Sequence, residues 1–238
     1  MYGWRSRIGL ILPVDNAVME PELYGRGLEG VSFHGVRLRT DDRARMPDDA
    51  IELAPLVKHM AVDAVVYACA ATSFLQGVDA NELIVRRLEE ACGVPAITAT
   101  GSMLSALQAS GAKRVAVATP YAAVRGDVLV DFLRRKGFDV VNVVHEEMSL
   151  FETNLQHPEF SYRLGRRADH AQADAILISG TNLRTLEIVD ALHLDTGKFV
   201  VTSNQAILWD LGRRLGITLD KSHLGRSSLP AANRMVAA

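Results

Sequence analysis

The sequence predicts an α/β protein made of two pseudo-twofold-related lobes, each with a mostly parallel four-stranded sheet flanked by helices. Short β-branched apolar runs alternate with amphipathic stretches along the chain, a pattern typical of βα units around a parallel sheet. The segment Arg7–Pro13 returns as Arg114–Pro120, and Gly30–Phe33 returns as Gly137–Val140 at the same spacing. Because this period is far too long for a solenoid, the internal similarity indicates a duplicated lobe.

The first lobe is predicted to span residues 1–105 and the second residues 106–205, with residues 206–238 packing back onto the first. The four strands of the first lobe are expected at Ile8–Leu12, Ser32–Leu38, Ala64–Ala68 and Ala96–Thr98. The strands of the second lobe are expected at Arg114–Ala118, Asp139–Val144, Ala175–Ile178 and Phe199–Val201. Unbroken apolar runs of this kind indicate parallel strands that are buried on both faces.

Amphipathic stretches between the strands predict seven helices. They are expected at Pro47–Ala61, Asp79–Cys92, Ser102–Ser110, Gly126–Lys136, Pro158–Gln172, Thr185–Asp195 and Gln205–Leu215. Asp79 is the expected N-cap of its helix, and glycines are expected just past the ends of four helices, at Gly93, Gly111, Gly137 and Gly216.

Composition and charge exclude several functional classes. The chain has 26 basic and 28 acidic residues and a net charge of −2, whereas nucleic-acid-binding proteins usually carry a basic patch. No stretch reaches the roughly 18 apolar residues of a membrane span, and the N-terminus has no signal-peptide pattern. We therefore expect a cytoplasmic protein that binds neither nucleic acid nor membrane.

The two cysteines, Cys69 and Cys92, are too few for a disulfide framework or a structural zinc site, and the seven histidines are scattered. No metal is expected. Cys92 precedes a helix-ending glycine and is interpreted as a packing residue.

Ligands of open α/β sheets bind beyond the carboxyl ends of the strands. Four segments therefore frame the predicted site: Pro13–Asn16, Ala68–Ser73, Thr119–Tyr121 and Ser179–Leu183. The repeat pairs the first with the third and the second with the fourth. Small residues and backbone N–H groups around one ligand suit a carboxylate without any cationic side chain.

Cys69 ends a buried strand and opens the loop into a helix. A helix N-terminus lowers the pKa of a thiol, and the thiolate is its reactive form. The alternative is a small buried hydrophobic residue. The counterpart in the second lobe is Gly180 or Thr181. The threonine hydroxyl both donates and accepts hydrogen bonds, but it has no adjacent base, and a turn residue is the alternative.

Two further polar residues follow strands. Tyr121 is a candidate donor to an oxyanion, with packing at the rim as the alternative. Asn16 is a candidate amide donor to a carboxylate, and the alternative is an Asx turn before Met19.

These motifs together resemble the aspartate/glutamate racemase superfamily, in particular its maleate cis–trans isomerase and arylmalonate decarboxylase branches. The segments are Arg7–Asn16 with Met19 and Glu20, Tyr67–Cys69, Thr119–Tyr121 and Ser179–Thr181. The likeness runs from Tyr2 to about Ile217. It implies a two-lobed enzyme without cofactor or metal, a small carboxylate substrate and a homodimer.

The resemblance also implies roles for individual residues. In the isomerases, the cysteine that Cys69 matches adds as a thiolate to the double bond, and Thr181 stands where a second cysteine would be. The implied holders of the carboxylates are Asn16, Tyr121, Gly180 and the backbone at Ala70, Ala71, Asn182 and Leu183. An Asn that clamps substrate falls near Ser149 here, with Asn154 as a stand-in.

Four hypotheses follow. Retention of the first-lobe thiol favours an isomerase of a small unsaturated dicarboxylate, because the decarboxylases have a glycine at the Cys69 position. The Ala71–Phe74 loop resembles the decarboxylases, so decarboxylation of a substituted malonate is second. Racemisation is third, since one thiol does not serve both faces of a carbon. A non-catalytic carboxylate-binding protein is the fourth, and an ordinary Cys69 pKa near about 8.5 would favour it.

Overall fold

The computed structural model describes residues 1–77 and 79–225, which form two four-stranded parallel sheets. The first sheet has the order β2-β1-β3-β4, with strands at Ser6–Leu12 (β1), Val31–Arg37 (β2), Ala64–Tyr67 (β3) and Ala96–Thr98 (β4). The second has the order β6-β5-β7-β8, with strands at Arg114–Thr119 (β5), Asp139–His145 (β6), Ala175–Ile178 (β7) and Phe199–Thr202 (β8). The two orders are equivalent, so the predicted pair of α/β lobes is confirmed.

Helices cover both faces of each sheet. Those longer than six residues are Met46–His59 (α2), Ala80–Cys92 (α4), Ala99–Ser110 (α5), Ala123–Arg135 (α6), Pro158–Ala168 (α8), Val189–Thr196 (α9) and Ser203–Leu215 (α10). All seven lie where the sequence predicts a helix, with shifted ends. Within the described residues, four shorter helices were not predicted: Met19–Tyr24 (α1), Ala70–Leu75 (α3), Leu150–Asn154 (α7) and Lys221–Leu224 (α11).

Asp79 is the N-cap of α4 as predicted, although its side chain makes no capping hydrogen bond. One predicted helix start is wrong, because the helix expected from Thr185 begins only at Val189. The Thr185 amide donates to the carboxylate of Glu22.

One hydrophobic cluster joins the lobes. It contains side chains of the first sheet, such as Leu10, and of the second, such as Val117, together with Met103 on α5 and Leu208 on α10. Each lobe also has its own outer cluster. The lobe boundaries stay a prediction. Helix α10 packs on α5 of the first lobe, where the Ser102 hydroxyl donates to Asp210 at 3.1 Å. Of the segment 206–238, residues 226–238 lie outside the described part.

No helix within residues 1–77 and 79–225 is long and apolar enough to cross a membrane.

The carboxylate of Glu22 on α1 ties the first lobe to the second. Its Oε1 accepts the amides of Thr185 at 2.5 Å and Leu186 at 3.0 Å, and its Oε2 accepts the Asn204 side-chain amide at 2.7 Å. Burial raises the pKa of Glu22, and these three hydrogen bonds and the charge of Arg26 offset part of that rise. A single buried carboxyl therefore stabilises the contact between the lobes.

The raised pKa of Glu22 predicts how stability depends on pH. A carboxyl that holds its proton more tightly when folded stabilises the fold most below its ordinary pKa of 4.5, and this contribution is lost as the pH rises through the raised pKa. Glu22→Gln, which stays neutral, should lose this part of the pH dependence. Denaturant unfolding of both proteins from about pH 5 to about pH 8 measures it. Glu20→Gln is the control, because it removes a more exposed carboxyl that pairs with Arg37. Equal slopes of unfolding free energy against pH for wild type and Glu22→Gln would contradict the assignment.

Candidate active site

A pocket of about 490 Å³, partly open to solvent, lies between the lobes at the carboxyl ends of the strands. The first lobe contributes Pro13, Arg43, Met46, Cys69, Ala70 and Ala71. The second lobe contributes Pro120, Tyr121, Arg125, Gly180, Thr181 and Asn182, and also Met148, Leu150 and Thr153. The strand ends that the sequence singled out therefore do meet at one pocket.

Cys69 stands at the N-cap of α3, two residues after β3 ends, with extended backbone angles. Its side chain lines the pocket although the residue is only 5% exposed. The Ser73 hydroxyl donates to the Cys69 carbonyl at 2.9 Å, which fixes the first turn of the helix. The thiol is thus held at the pocket wall and largely shielded from water.

The pKa of Cys69 is raised, and the prediction that its position lowers the pKa is wrong. Burial is the largest cause, because it disfavours the charged thiolate, and the nearby Asp15 carboxylate acts in the same direction. Hydrogen bonds from the Thr72 hydroxyl and amide, together with the positive charge of Arg43, offset part of the rise. The helix start does favour the thiolate, but desolvation outweighs it.

The Thr72 hydroxyl connects the thiol to a second buried hydroxyl. Thr72 Oγ1 lies 2.6 Å from the phenol oxygen of Tyr67, and both side chains are fully buried. Burial raises the pKa of Tyr67 well above its ordinary value, so the phenol keeps its proton. When the Tyr67 phenol donates to Thr72 Oγ1, the Thr72 hydroxyl proton is available to donate to the sulfur of Cys69.

Thr181 also lines the pocket, but its hydroxyl is occupied. It donates to the carbonyl of Ala68 at 3.1 Å and accepts a hydrogen bond from the Asn16 amide at 3.1 Å. Ala68 immediately precedes Cys69, so the hydroxyl of the second lobe holds the strand end that presents the thiol. The geometry supports positioning of Cys69 more than proton transfer.

Three asparagine side chains form a polar chain across the lobes. Asn16 Nδ2 lies 3.2 Å from Asn182 Oδ1, and Asn182 Nδ2 donates to Asn154 Oδ1 at 3.0 Å. Asn154 Nδ2 in turn donates to the carbonyl of Asp15 at 2.6 Å. Of these three residues only Asn182 lines the pocket. Asn16 also forms the Asx turn considered from the sequence, because its Oδ1 accepts the amides of Val18 and Met19.

Tyr121 is 7% exposed and lines the pocket beside Phe74, with 6.3 Å between the ring centroids. Burial and the charge of Cys69 raise the pKa of Tyr121 to about 12, while the hydroxyl of Ser179 and the two arginines of the pocket lower it. At neutral pH the phenol is therefore protonated and acts as a hydrogen-bond donor.

The backbone groups expected to hold carboxylates differ in availability. Ala70 and Ala71 occupy the first two positions of α3, where a helix has no internal acceptor for the amides. The Gly180 amide donates instead to the Ser203 hydroxyl at 2.9 Å, at a φ of +156° that favours glycine. The Leu183 amide donates to the Gly180 carbonyl at 3.3 Å, and its side chain is buried in the outer core of the second lobe.

Two arginines that line the pocket are not among the site residues predicted from the sequence. Arg43 lies in the loop between β2 and α2, and Arg125 lies near the start of α6. The four segments predicted to frame the site all follow the inner strands β1, β3, β5 and β7. The carboxyl ends of the edge strands β2 and β6 also face the pocket, and reading them would have identified Arg43 and the Met148–Thr153 segment.

Cys92 lies away from this pocket. It is buried in the outer core of the first lobe, with its Sγ 3.7 Å from the carbonyl of Ala54. This placement agrees with a packing role. In the part of the chain that the structure describes, no cluster of three or more His, Cys, Asp or Glu side chains is arranged to hold a metal ion.

Comparisons with known proteins point in one direction. A family model described as arylmalonate decarboxylase matches residues 8–229. The maleate isomerase of Pseudomonas putida is 26% identical over 230 residues, covering 89% of this chain and 92% of that protein. The arylmalonate decarboxylase of Bordetella bronchiseptica is 25% identical over 215 residues, covering 87% and 86%. A crystal structure of the maleate isomerase Iso, also from Pseudomonas putida, superposes with a TM-score of 0.84 at 26% identity, covering 90% of this chain and 94% of that one.

The raised pKa of Cys69 predicts how the rate of its alkylation depends on pH. Because only the thiolate reacts, the alkylation rate should still be rising at the ordinary thiol pKa of 9.0. Thr72→Val removes the hydroxyl hydrogen bond and should shift the profile to higher pH by about one unit. Peptide mass spectrometry after timed iodoacetamide treatment follows Cys69 and Cys92 separately. A Cys69 rate that levels off below about pH 8 would show that the thiolate is already formed there.

Proposed function

Because the chain belongs to the family described by the arylmalonate decarboxylase model, we propose that it is a cofactor-independent isomerase of a small unsaturated dicarboxylate. The recognition made from the sequence is confirmed by this match and by the relatives named as maleate isomerases. One observation carries the assignment of the nucleophile. Of the two cysteines, Cys69 of the first lobe lines the pocket and Cys92 does not. Thr181 of the second lobe lines the same pocket in place of a second thiol.

Because the pKa of Cys69 is raised, the proposed reaction starts from the minor ionised fraction of the thiol. This thiolate adds to one alkene carbon. The sulfur forms a C–S bond, and the π pair moves to the neighbouring carbon and into its carboxylate as an enediolate. Rotation about the new single bond exchanges the cis and trans arrangements. The electron pair then re-forms the double bond, the C–S bond breaks, and the thiolate is recovered. No proton or electron is gained or lost overall.

Stabilisation of the developing charge is assigned to donors that are already in place. The Tyr121 phenol and the free amides of Ala70 and Ala71 line the pocket beside Cys69. Preorganised donors of this kind are usually the largest contribution to catalysis where an oxyanion forms. In this proposal Thr181 and Asn16 position the site, and Asn182 lines it.

The geometry does not favour racemisation. A racemase needs an acid or base on each face of the carbon, and the group opposite Cys69 is a hydroxyl that donates to the Ala68 carbonyl. Thr181 has no base beside it that would make it a proton donor or acceptor of that kind.

Decarboxylation of a substituted malonate is the second candidate, and two observations favour it. A thiol with a raised pKa keeps its proton at neutral pH, as a group that protonates a carbanion must. Apolar side chains also line the pocket, at Met46, Met148 and Leu150, and they would accommodate an apolar substituent.

The cytoplasmic location and the homodimer expected from the sequence stay predictions.

Substitution of the two cysteines tests the nucleophile. Cys69→Ala should abolish turnover, because no other group in the pocket can form the C–S bond. Cys92→Ala should keep most of the activity and lower the free energy of unfolding by about 1 kcal/mol, since it removes only a buried sulfur. Initial rates and denaturant unfolding measure the two effects. Similar rates for wild type and Cys69→Ala would refute the proposal.

Parallel assays with maleate and phenylmalonate separate the two reactions. An isomerase should convert maleate to fumarate with no CO₂ release, and fumarate is followed by its absorbance. Release of CO₂ from phenylmalonate, with maleate left unchanged, would instead establish the decarboxylase.

A further inference from the structure

Two guanidinium groups line the pocket, one from each lobe. Arg43 comes from the loop between β2 and α2 of the first lobe, and Arg125 comes from the start of α6 in the second lobe. Both are partly buried, and they share the pocket wall with Cys69 and Tyr121. The positive charge of Arg43 acts on both of these residues.

Neither guanidinium forms an ion pair or a side-chain hydrogen bond within residues 1–77 and 79–225. Other arginines of the chain do so: Arg87 lies 2.6 Å from Asp48, and Arg114 lies 2.7 Å from Asp174. Glu147, which is exposed, acts on Arg125 only through its charge. Desolvation and the like charge of Arg43 lower the pKa of Arg125. Two cations that line one pocket without a direct ion pair raise the energy of the empty site.

The donors assigned to a dicarboxylate do not include these arginines. The donors assigned above to the carboxylates next to the reacting carbons are the Tyr121 phenol and the amides of Ala70 and Ala71, which carry no net charge. The two guanidinium groups line the same pocket and have no partner in that assignment. Arginine binds carboxylates through two parallel charge-assisted hydrogen bonds, so a further carboxylate is the group that fits between them.

We propose that the substrate is an unsaturated tricarboxylate whose third carboxylate binds between Arg43 and Arg125. This inference rests on the proposed reaction and adds one carboxyl group to the unsaturated dicarboxylate proposed above. The pocket is partly open to solvent on the side lined by the two arginines and the Met148–Thr153 segment, so it does not enclose the ligand completely. The third carboxylate would offset the positive charges that the two lobes bring to the pocket.

Saturated acids test binding apart from turnover, because they have no double bond to which a thiolate can add. The probes are tricarballylate, with three carboxylates, and succinate, with two, titrated into the full-length protein by calorimetry. Wild type should bind tricarballylate at least about tenfold more tightly than succinate, as expected for one added charge-assisted contact. The preference should shrink as the salt concentration rises, because the groups are partly exposed.

Variants assign the preference to the two arginines. Arg43→Gln and Arg125→Gln should each reduce tricarballylate affinity about tenfold and leave succinate affinity within about threefold. Arg45→Gln is the matched control, since it removes a charge from the same loop outside this pocket. Its affinities should equal those of wild type.

Two results would overturn the inference. One is equal affinity of wild type for the two acids, and the other is an equal loss for both acids in the arginine variants, which would place the guanidinium groups on the two ordinary carboxylates. Turnover of cis-aconitate and maleate is then measured separately. A tricarballylate preference without isomerisation of either alkene would reject the proposed reaction and leave the anion site supported.

Discussion

The hydrogen bond from the Thr181 hydroxyl to the Ala68 carbonyl is the contact on which the site depends. It joins the end of β3, which carries Cys69, to the loop that follows β7 in the other lobe. The same hydroxyl accepts from Asn16, and the asparagine chain through Asn182 extends the contact. The reactive sulfur is thus positioned by the lobe to which it does not belong, and a duplicated fold yields one asymmetric site: a thiol on one side and a structural hydroxyl on the other.

The burial of Cys69 between the lobes changes the pKa of its thiol. Desolvation raises its pKa, while the Thr72 hydrogen bonds and the charge of Arg43 act in the opposite direction. Arg43 and Arg125 bring two positive charges to the pocket wall. A polyanionic substrate removes this excess charge, so it is complementary both to the donors beside the thiol and to the arginines at the wall.

Much of this fold can be read from the sequence, because buried parallel strands and amphipathic helices leave periodic apolar patterns. The eight strands and seven longer helices were therefore predictable. Helix α3 was not, since Ala70–Leu75 is too short to show helical periodicity. The repeat located Cys69, Tyr121 and Thr181, yet the hydrogen-bond partners of Thr181 depend on how the lobes dock. Arg43 and Arg125 were not predicted, because their approach to the pocket depends on how a loop and a helix are placed. The pKa of Cys69 was not predictable either, because it depends on burial, which the position of a residue in the sequence does not give.

Covalent attachment of substrate to Cys69 is the central claim, and mass spectrometry of acid-quenched turnover mixtures tests it most directly. We predict a peptide containing Cys69 whose mass is increased by that of one whole substrate molecule, because acid quenching protonates the enediolate adduct. The adduct should form on the timescale of a single turnover, with Cys92 unmodified. Conversion of substrate with no adduct on Cys69 at any quench time, or an adduct on Cys92 alone, would contradict the account.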